Sequence, residues 1–388
     1  MIWTAEQIAF WSCLALLGYV YIGYPLIVFV VSLLFPKPIR KGDLQPKVTI
    51  LITAYNEEAA IRSKLENTLA IDYPKAKLEV LVASDGSTDG TDEIVREFAG
   101  RGVKLFRQEG RVGKTTTQNN AVDEASGEII LFSDATTHYD RDVFRWILPA
   151  FADQTVGCVA GRLMYVDDES TTVGRGAQSY WSYETFLKLA ESQACSLIGA
   201  SGCLYAVRRD AYRPMYAEAC SDFLICTMLY RNGMRSVFAP DAVCFEHTNR
   251  SASDELRMRV RVISQTFTDL WRNRDMLNPL KSGFFALELI SHKLLRYAVP
   301  VILFAFLIST IFLARNSMFF TAMAAGQILF YALAFAGFLM ERSGKRLSLL
   351  AMPLYFVLAN FASVLGFYKF LRGERYATWE PIRSKATL

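Results

Sequence analysis

The sequence has no Cys-x-x-Cys spacing. Its seven cysteines (Cys13, Cys158, Cys195, Cys203, Cys220, Cys226 and Cys244) are scattered and odd in number. That excludes a paired-ligand zinc site or a dithiol redox motif and reads as reduced core residues. Net charge is also scarce, +4 over 388 residues, too little to argue for a nucleic-acid partner. There is no internal repeat and no low-complexity tract. The apolar run at residues 8–35 lacks a small-residue cleavage site and is too long for a signal peptide, so it reads as a retained membrane anchor in which Pro25 can introduce a kink.

What is abundant is apolar sequence, 52% of residues, with a positive mean hydropathy of +0.20. It is concentrated at the two ends, whereas residues 48–278 have the mixed charge of an ordinary globular domain able to bury its own core. Three further apolar runs, at 294–314, 318–340 and 347–371, each approach the roughly 20 residues a helix needs to cross a bilayer. Pro36, Lys37, Pro38, Arg40 and Lys41 follow the first run, which places its carboxyl end and the domain after it in the cytoplasm. Between the domain and the later runs, arginines and lysines (Arg257, Arg259, Arg261, Arg272, Lys293 and Arg296 among them) alternate with apolar residues, as in helices lying in a membrane interface.

The expected organisation is an anchor at 1–36, a cytoplasmic domain at 46–250, interfacial amphipathic helices at 251–293, a membrane region at 294–371 and a basic tail at 372–388, with the whole a multi-pass protein of the inner membrane. This count carries a conflict of parity. The last loop (Arg342, Lys345, Arg346) and the tail (Arg372, Arg375, Arg383, Lys385) both look cytoplasmic, so either one apolar run is re-entrant or interfacial, or the tail is external.

Within the domain, β-branched runs at 48–53, 78–83, 103–107 and 129–133 read as strands alternating with helices, the pattern of an α/β layered fold. Ile61, Leu65 and Leu69 give the first intervening helix one apolar face. Polar clusters follow three of these strands: Ala54-Tyr55-Asn56-Glu57-Glu58, then Ser84-Asp85-Gly86-Ser87-Thr88-Asp89, then Ser133-Asp134-Ala135-Thr136. Open α/β sheets bind ligands at the carboxyl ends of their strands, although Asn56 can equally cap a helix and Asp85-Gly86 can be a plain turn.

The combination resembles family 2 glycosyltransferases of the GT-A fold, a Rossmann-like α/β architecture, from about residue 48 through the carboxyl-terminal apolar runs. Val82-Ala-Ser-Asp-Gly-Ser-Thr-Asp-Gly-Thr91 matches the family's Asp-Gly-Ser-x-Asp signature, and Gly113-Lys114 with Asn119-Asn120 matches its basic segment. The resemblance implies a nucleotide-sugar donor, a UDP-sugar foremost, held by Ala54, Tyr55, Asn56, Glu57 and Asp85, with Lys114 near the donor phosphates. It makes Asp134 the first carboxylate of an Asp-x-Asp motif for a divalent ion, Mn²⁺ or Mg²⁺. Thr136 stands where the second carboxylate belongs, and His247 is a further ligand candidate.

By the same resemblance Asp222, in Ser221-Asp222, is the base of an inverting transfer, where the residue's own spacing allows a plain helix cap. Gly199, Ser201 and Gly202 form a small-residue acceptor loop. The Gln-x-x-Arg-Trp cluster of polymer synthases is absent from residues 250–263, which argues for one or a few sugars added per encounter, with a processive synthase the alternative. The implied partners are the donor, a lipid-linked or glycan acceptor, membrane lipids and polysaccharide-assembly proteins. A nonenzymatic nucleotide-sugar-binding membrane subunit is the rival reading, and Thr136 is its best support.

Overall fold

A computed structural model describes residues 3–166, 172–246, 252–343 and 347–378. The domain is built on one eight-stranded sheet. Its strands are β1 (Val48–Ala54), β2 (Leu78–Ser84), β3 (Val103–Arg107), β4 (Ile129–Asp134), β5 (His138–Tyr139), β6 (Val156–Tyr165), β7 (Tyr205–Arg208) and β8 (Arg235–Glu246), in the order β3-β2-β1-β4-β7-β6-β8-β5. The first four are parallel, while β7 runs antiparallel to both neighbours. Every residue of β1 is buried because helices cover both faces of the parallel half, and a continuous apolar run suits that better than alternation. Ile50 and Ile52 point into one core with Ile61 and Leu65, and Leu51 points into the other with Phe132, Tyr205 and Leu224.

All four strands expected from the sequence are present, three of them one residue longer than expected. The polar turns after β1, β2 and β4 therefore lie along one edge of the sheet. Strand order reverses between β1 and β4, and a crevice opens at such a switch.

Among the described residues, four helices are long and apolar enough to cross a membrane: Ala5–Leu34, Phe284–Leu313, Met318–Arg342 and Ala351–Leu371. The second begins ten residues before the expected 294, so residues 284–293 continue into an apolar helix instead of lying apart as an interfacial one. In the first, the turn Tyr19–Gly23 is π-helical just ahead of Pro25. Proline has no N–H for the carbonyl of Tyr21, and the Tyr183 hydroxyl donates to that carbonyl instead (3.4 Å), which is how a proline is accommodated in an apolar helix. Phe10 and Cys13 pack with Phe306, Leu313, Phe320 and Met323, tying the first three of these helices together at the ends remote from the sheet.

The fourth apolar helix is placed differently. Its first turns contact the start of the helix Ala252–Arg272, with Leu354 and Tyr355 against Ala252 and Leu256. Its later turns contact the end of the same helix, with Phe367 and Phe370 against Phe267. The two run side by side in the same direction, and the chain after the fourth helix returns to the domain, where the Gln265 amide donates to the Tyr376 carbonyl (2.8 Å). Both ends of Ala351–Leu371 thus lie on the domain's side.

Candidate active site

The turns after β1 and β2 are knitted into one surface. Asn56, the one non-glycine residue with positive φ (54°) among the described residues, accepts through Oδ1 from the Thr88 amide (2.7 Å), while its own amide donates to Ser87 Oγ (3.1 Å). Asparagine tolerates this left-handed geometry because its side chain satisfies nearby backbone. The Glu57 amide donates to Thr91 Oγ1 (2.8 Å).

Asp85 is fully enclosed. Its carboxylate accepts from the amides of Val112 (2.8 Å) and Gly113 (3.0 Å) and from Thr117 Oγ1 (2.9 Å), at the amino end of the helix Lys114–Glu124, where negative charge is favoured. Asp85 therefore shapes the loop that presents Lys114. It does not line the cavity, and neither do Ala54 and Tyr55; Tyr55 instead carries the Arg111 guanidinium over its ring at 4.0 Å. Asn119 is likewise structural: it accepts from Tyr212 Oη (2.8 Å) and the Met215 amide (3.1 Å).

The remaining expected residues converge on one cavity of about 1680 Å³, lined by Asn56, Glu57, Lys114, Asp134, Asp222 and the loop Gly199, Ser201, Gly202. Lys114 is ion-paired with Asp134. Burial pushes the ammonium's pKa down, but the charge and hydrogen bond of Asp134, with Asp222 behind, more than reverse this against the opposing Arg261, so it stands above the ordinary lysine value. A Cβ at Gly202 would lie 3.2 Å from Asp222 Oδ2 and 3.7 Å from Lys114 Nζ. The glycine thus leaves open the space between a carboxylate and a cation, which a side chain would fill.

Asp222 stands in the first turn of the helix Ser221–Arg231. Its carbonyl accepts from the Ala200 amide (2.9 Å) and its Oδ1 from the Cys220 thiol (3.1 Å). Above the loop, Lys188 donates to Ser201 Oγ (2.7 Å). Tyr376, Ala377 and Thr378 close one wall, and a Cβ at Gly113 would collide with the Ala377 carbonyl.

Glu246, Arg261 and Arg296 also line the wall, and none of them is among the expected site residues. Glu246 accepts from Thr136 Oγ1 (3.1 Å) at the end of β8, brought there by the pairing of β8 with β5; its signal was its place just before His247, which itself lies outside the described residues. Arg261 belongs to the basic run on the helix Ala252–Arg272, and burial holds its pKa below the usual arginine value. Arg296 pairs with Glu184 (3.0 Å). Beneath the 134–137 loop, the enclosed Lys64 ammonium donates to the Thr137 carbonyl (2.7 Å), and burial pushes its pKa down to about 7. Past Asp222 the cavity continues among the apolar helices, along Tyr297, Tyr355, Phe356 and Asn360.

The fold and this cavity define a GT-A domain. A solved structure of the same architecture is the mannosyltransferase PcManGT from Pyrobaculum calidifontis in complex with GDP-Man and Mn²⁺, with a TM-score of 0.74 over 95% of this chain and 99% of that one, at 24% identity. Residues 49–215 match the model of Glycosyl transferase family 2. Among curated relatives, the poly-beta-1,6-N-acetyl-D-glucosamine synthase of Staphylococcus aureus is 26% identical over 265 residues, 66% of this chain and 62% of that protein. The probable glycosyltransferase YdaM of Bacillus subtilis is 32% identical over 136 residues, 34% of this chain and 32% of that protein. The chain thus spans less than two thirds of these relatives.

Proposed function

We propose that the protein is a membrane-bound inverting glycosyltransferase that moves a sugar from a nucleotide-sugar donor to a glycan or lipid-linked acceptor. The observation that carries this reading is the pairing of Asp222 and Lys114 on either side of the gap left by Gly202. The acceptor hydroxyl gives its proton to Asp222 as its oxygen bonds to the anomeric carbon. The bond from that carbon to the diphosphate oxygen breaks on the opposite face, and Lys114 and Arg261 offset the charge of the departing nucleotide diphosphate. Asn56 and Glu57 are the donor's nucleoside wall. A cavity of about 1680 Å³ exceeds the roughly 300–1,000 Å³ of a single small-ligand site, which leaves its extension among the apolar helices for the acceptor.

The assay is purified full-length protein in detergent with a panel of labelled UDP-, GDP- and dTDP-sugars, separating released nucleotide from glycolipid and polymer. Acceptor-dependent nucleotide release with short products is expected. Binding without turnover across the panel would leave a nonenzymatic sensor, and long polymer beside untouched acceptor would make it a processive synthase.

A divalent metal fits the side chains present. Asp134 and Glu246, the latter hydrogen-bonded to the Thr136 hydroxyl, both line the cavity and would supply hard carboxylate oxygens suited to Mn²⁺ or Mg²⁺ together with the diphosphate. Bound there, the ion would neutralise charge on the leaving group. Calorimetric titration of nucleotide diphosphate with and without Mn²⁺ should show metal-dependent affinity lost in Asp134→Ala. An Asp134→Ala variant with unchanged metal dependence would remove this residue from the site.

The domain is placed in the cytoplasm, where nucleotide sugars are. The first three apolar helices then cross the inner membrane, and the fourth does not, which puts Lys37, Arg40, Lys41, Arg342, Arg372 and Arg375 inside and leaves Arg315 outside. In a background without native cysteines, cysteines at Lys41, Lys114, Lys281 and Arg375 should resist an impermeant thiol reagent applied to intact cells; labelling of the first three would invert the topology, and of Arg375 alone would make the fourth helix a span.

A further inference from the structure

Asp269 has no exposed surface, on a helix, Ala252–Arg272, whose neighbouring position is the apolar Leu270. An enclosed carboxyl is costly unless its oxygens are used. Both are: Oδ1 accepts from the Tyr216 hydroxyl and Oδ2 from the backbone amide of Cys220 (3.1 Å). Cys220 immediately precedes the helix that carries Asp222, and its thiol donates to Asp222 Oδ1 (3.1 Å).

The same short segment is held from the other side by Thr115, next to Lys114, whose hydroxyl donates to the Ala219 carbonyl (2.9 Å). The segment 219–222 is therefore pinned between the helix presenting the cation and the helix Ala252–Arg272, whose far side packs on the apolar helix Ala351–Leu371.

We propose that Asp269 is a positioning residue for the transfer: it fixes the segment bearing the base to the membrane-side helix, so that Asp222 is aimed at the gap beside Gly202. This rests on the glycosyltransferase reading. The groups around it are Tyr216, Glu218 and Cys220 from the preceding loop, Asp222 from the base's helix, Arg272 from its own helix, and Lys293, which faces Cys220 from the helix Phe284–Leu313. Arg272 lies over the Tyr216 ring at 4.1 Å and within 3.6 Å of Glu218, so its charge is shared. Burial raises the Asp269 carboxyl to about 8, and a neutral amide is then a close mimic of it at neutral pH.

Kinetics of the full-length protein with its active donor test this. Asp269→Leu should lower kcat about 10-fold or more, since a displacement of about 1 Å can cost up to about 10²-fold, with donor KM unchanged. Asp269→Asn should keep kcat within about threefold, because it still accepts from one partner and preserves shape. If Asp269→Leu does not fold, Asp269→Ser takes its place in the comparison.

A carboxyl whose folded pKa is raised stabilises the protein least above that value. The melting temperature should therefore fall between pH 5 and 8.5 more steeply in the parent protein than in Asp269→Asn. Full kcat in the Leu or Ser variant, equal losses in Asn and Leu, or a raised donor KM with kcat kept, would each overturn the assignment. Absence of turnover in the unmutated protein across the donor panel would instead sink the glycosyltransferase reading, and it is seen before any variant is measured.

Discussion

Asp222→Asn should cut sugar transfer by roughly 10²-fold or more, the cost of losing a general base, while nucleotide diphosphate binds as in the parent. The substitution removes the proton acceptor and little else. The amide oxygen can still accept from the Cys220 thiol, and the backbone bond from the Ala200 amide to the Asp222 carbonyl (2.9 Å) does not involve the side chain. The gap beside Gly202 keeps its shape. Binding and chemistry therefore separate: calorimetry with the nucleotide diphosphate reads the first, and single-turnover transfer to acceptor reads the second. Near-normal transfer in the variant would reduce Asp222 to a residue of the helix's first turn, and the base would have to be sought elsewhere on the cavity wall.

The parallel half of the sheet was legible in the sequence because its strands are buried on both faces. Val48-Thr-Ile-Leu-Ile-Thr53 and Ile129-Ile-Leu-Phe-Ser133 are continuous apolar runs closed by polar turns, and burial on two sides is what writes such runs. The mixed half, where β6 pairs parallel to β8 and β7 and β5 run antiparallel to their neighbours, was not. Gly157 and Gly161 interrupt β6, Pro240 interrupts β8, β7 has four residues and β5 two, so none offers a period long enough to see. Glu246 was lost with them, since only the β5–β8 pairing carries it to Thr136.

Asp85 illustrates a different gap. Its motif marked it as part of the site, but sequence cannot distinguish a carboxylate that faces a ligand from one that holds the loop facing it, and its acceptors are taken by the backbone of Val112 and Gly113. The fourth apolar helix shows the limit of hydropathy. Its composition is that of a span, and only its contacts with Phe267 and Leu256 reveal that it lies along the helix Ala252–Arg272.

Lys114→Met should lower kcat/KM by about 10²- to 10³-fold, the usual cost of removing a group that stabilises charge on the leaving side of a transfer. The ammonium is held by Asp134 and lies near Asp222, and its pKa stays above the ordinary lysine value despite burial and Arg261. The sign follows from linkage. A raised folded pKa means that the ion pair's stabilisation is fully present below the ordinary lysine value of about 10.4 and is lost as pH climbs through the folded value. The dependence of rate on this charge should accordingly be flat between pH 6 and 9.

Lys114→Arg should recover little of the loss, because a planar fork cannot replace a compact ammonium beside a backbone as close as Gly202. Metal binding distinguishes the two parts Lys114 can play. With the ammonium gone, Asp134 is released from its ion pair, so Mn²⁺ should bind the protein without nucleotide more tightly in Lys114→Met than in the parent, even as kcat/KM collapses. Weaker Mn²⁺ binding accompanying the kinetic loss would mean that Lys114 holds the Asp134 loop in shape, and the cation for the departing diphosphate would then be Arg261.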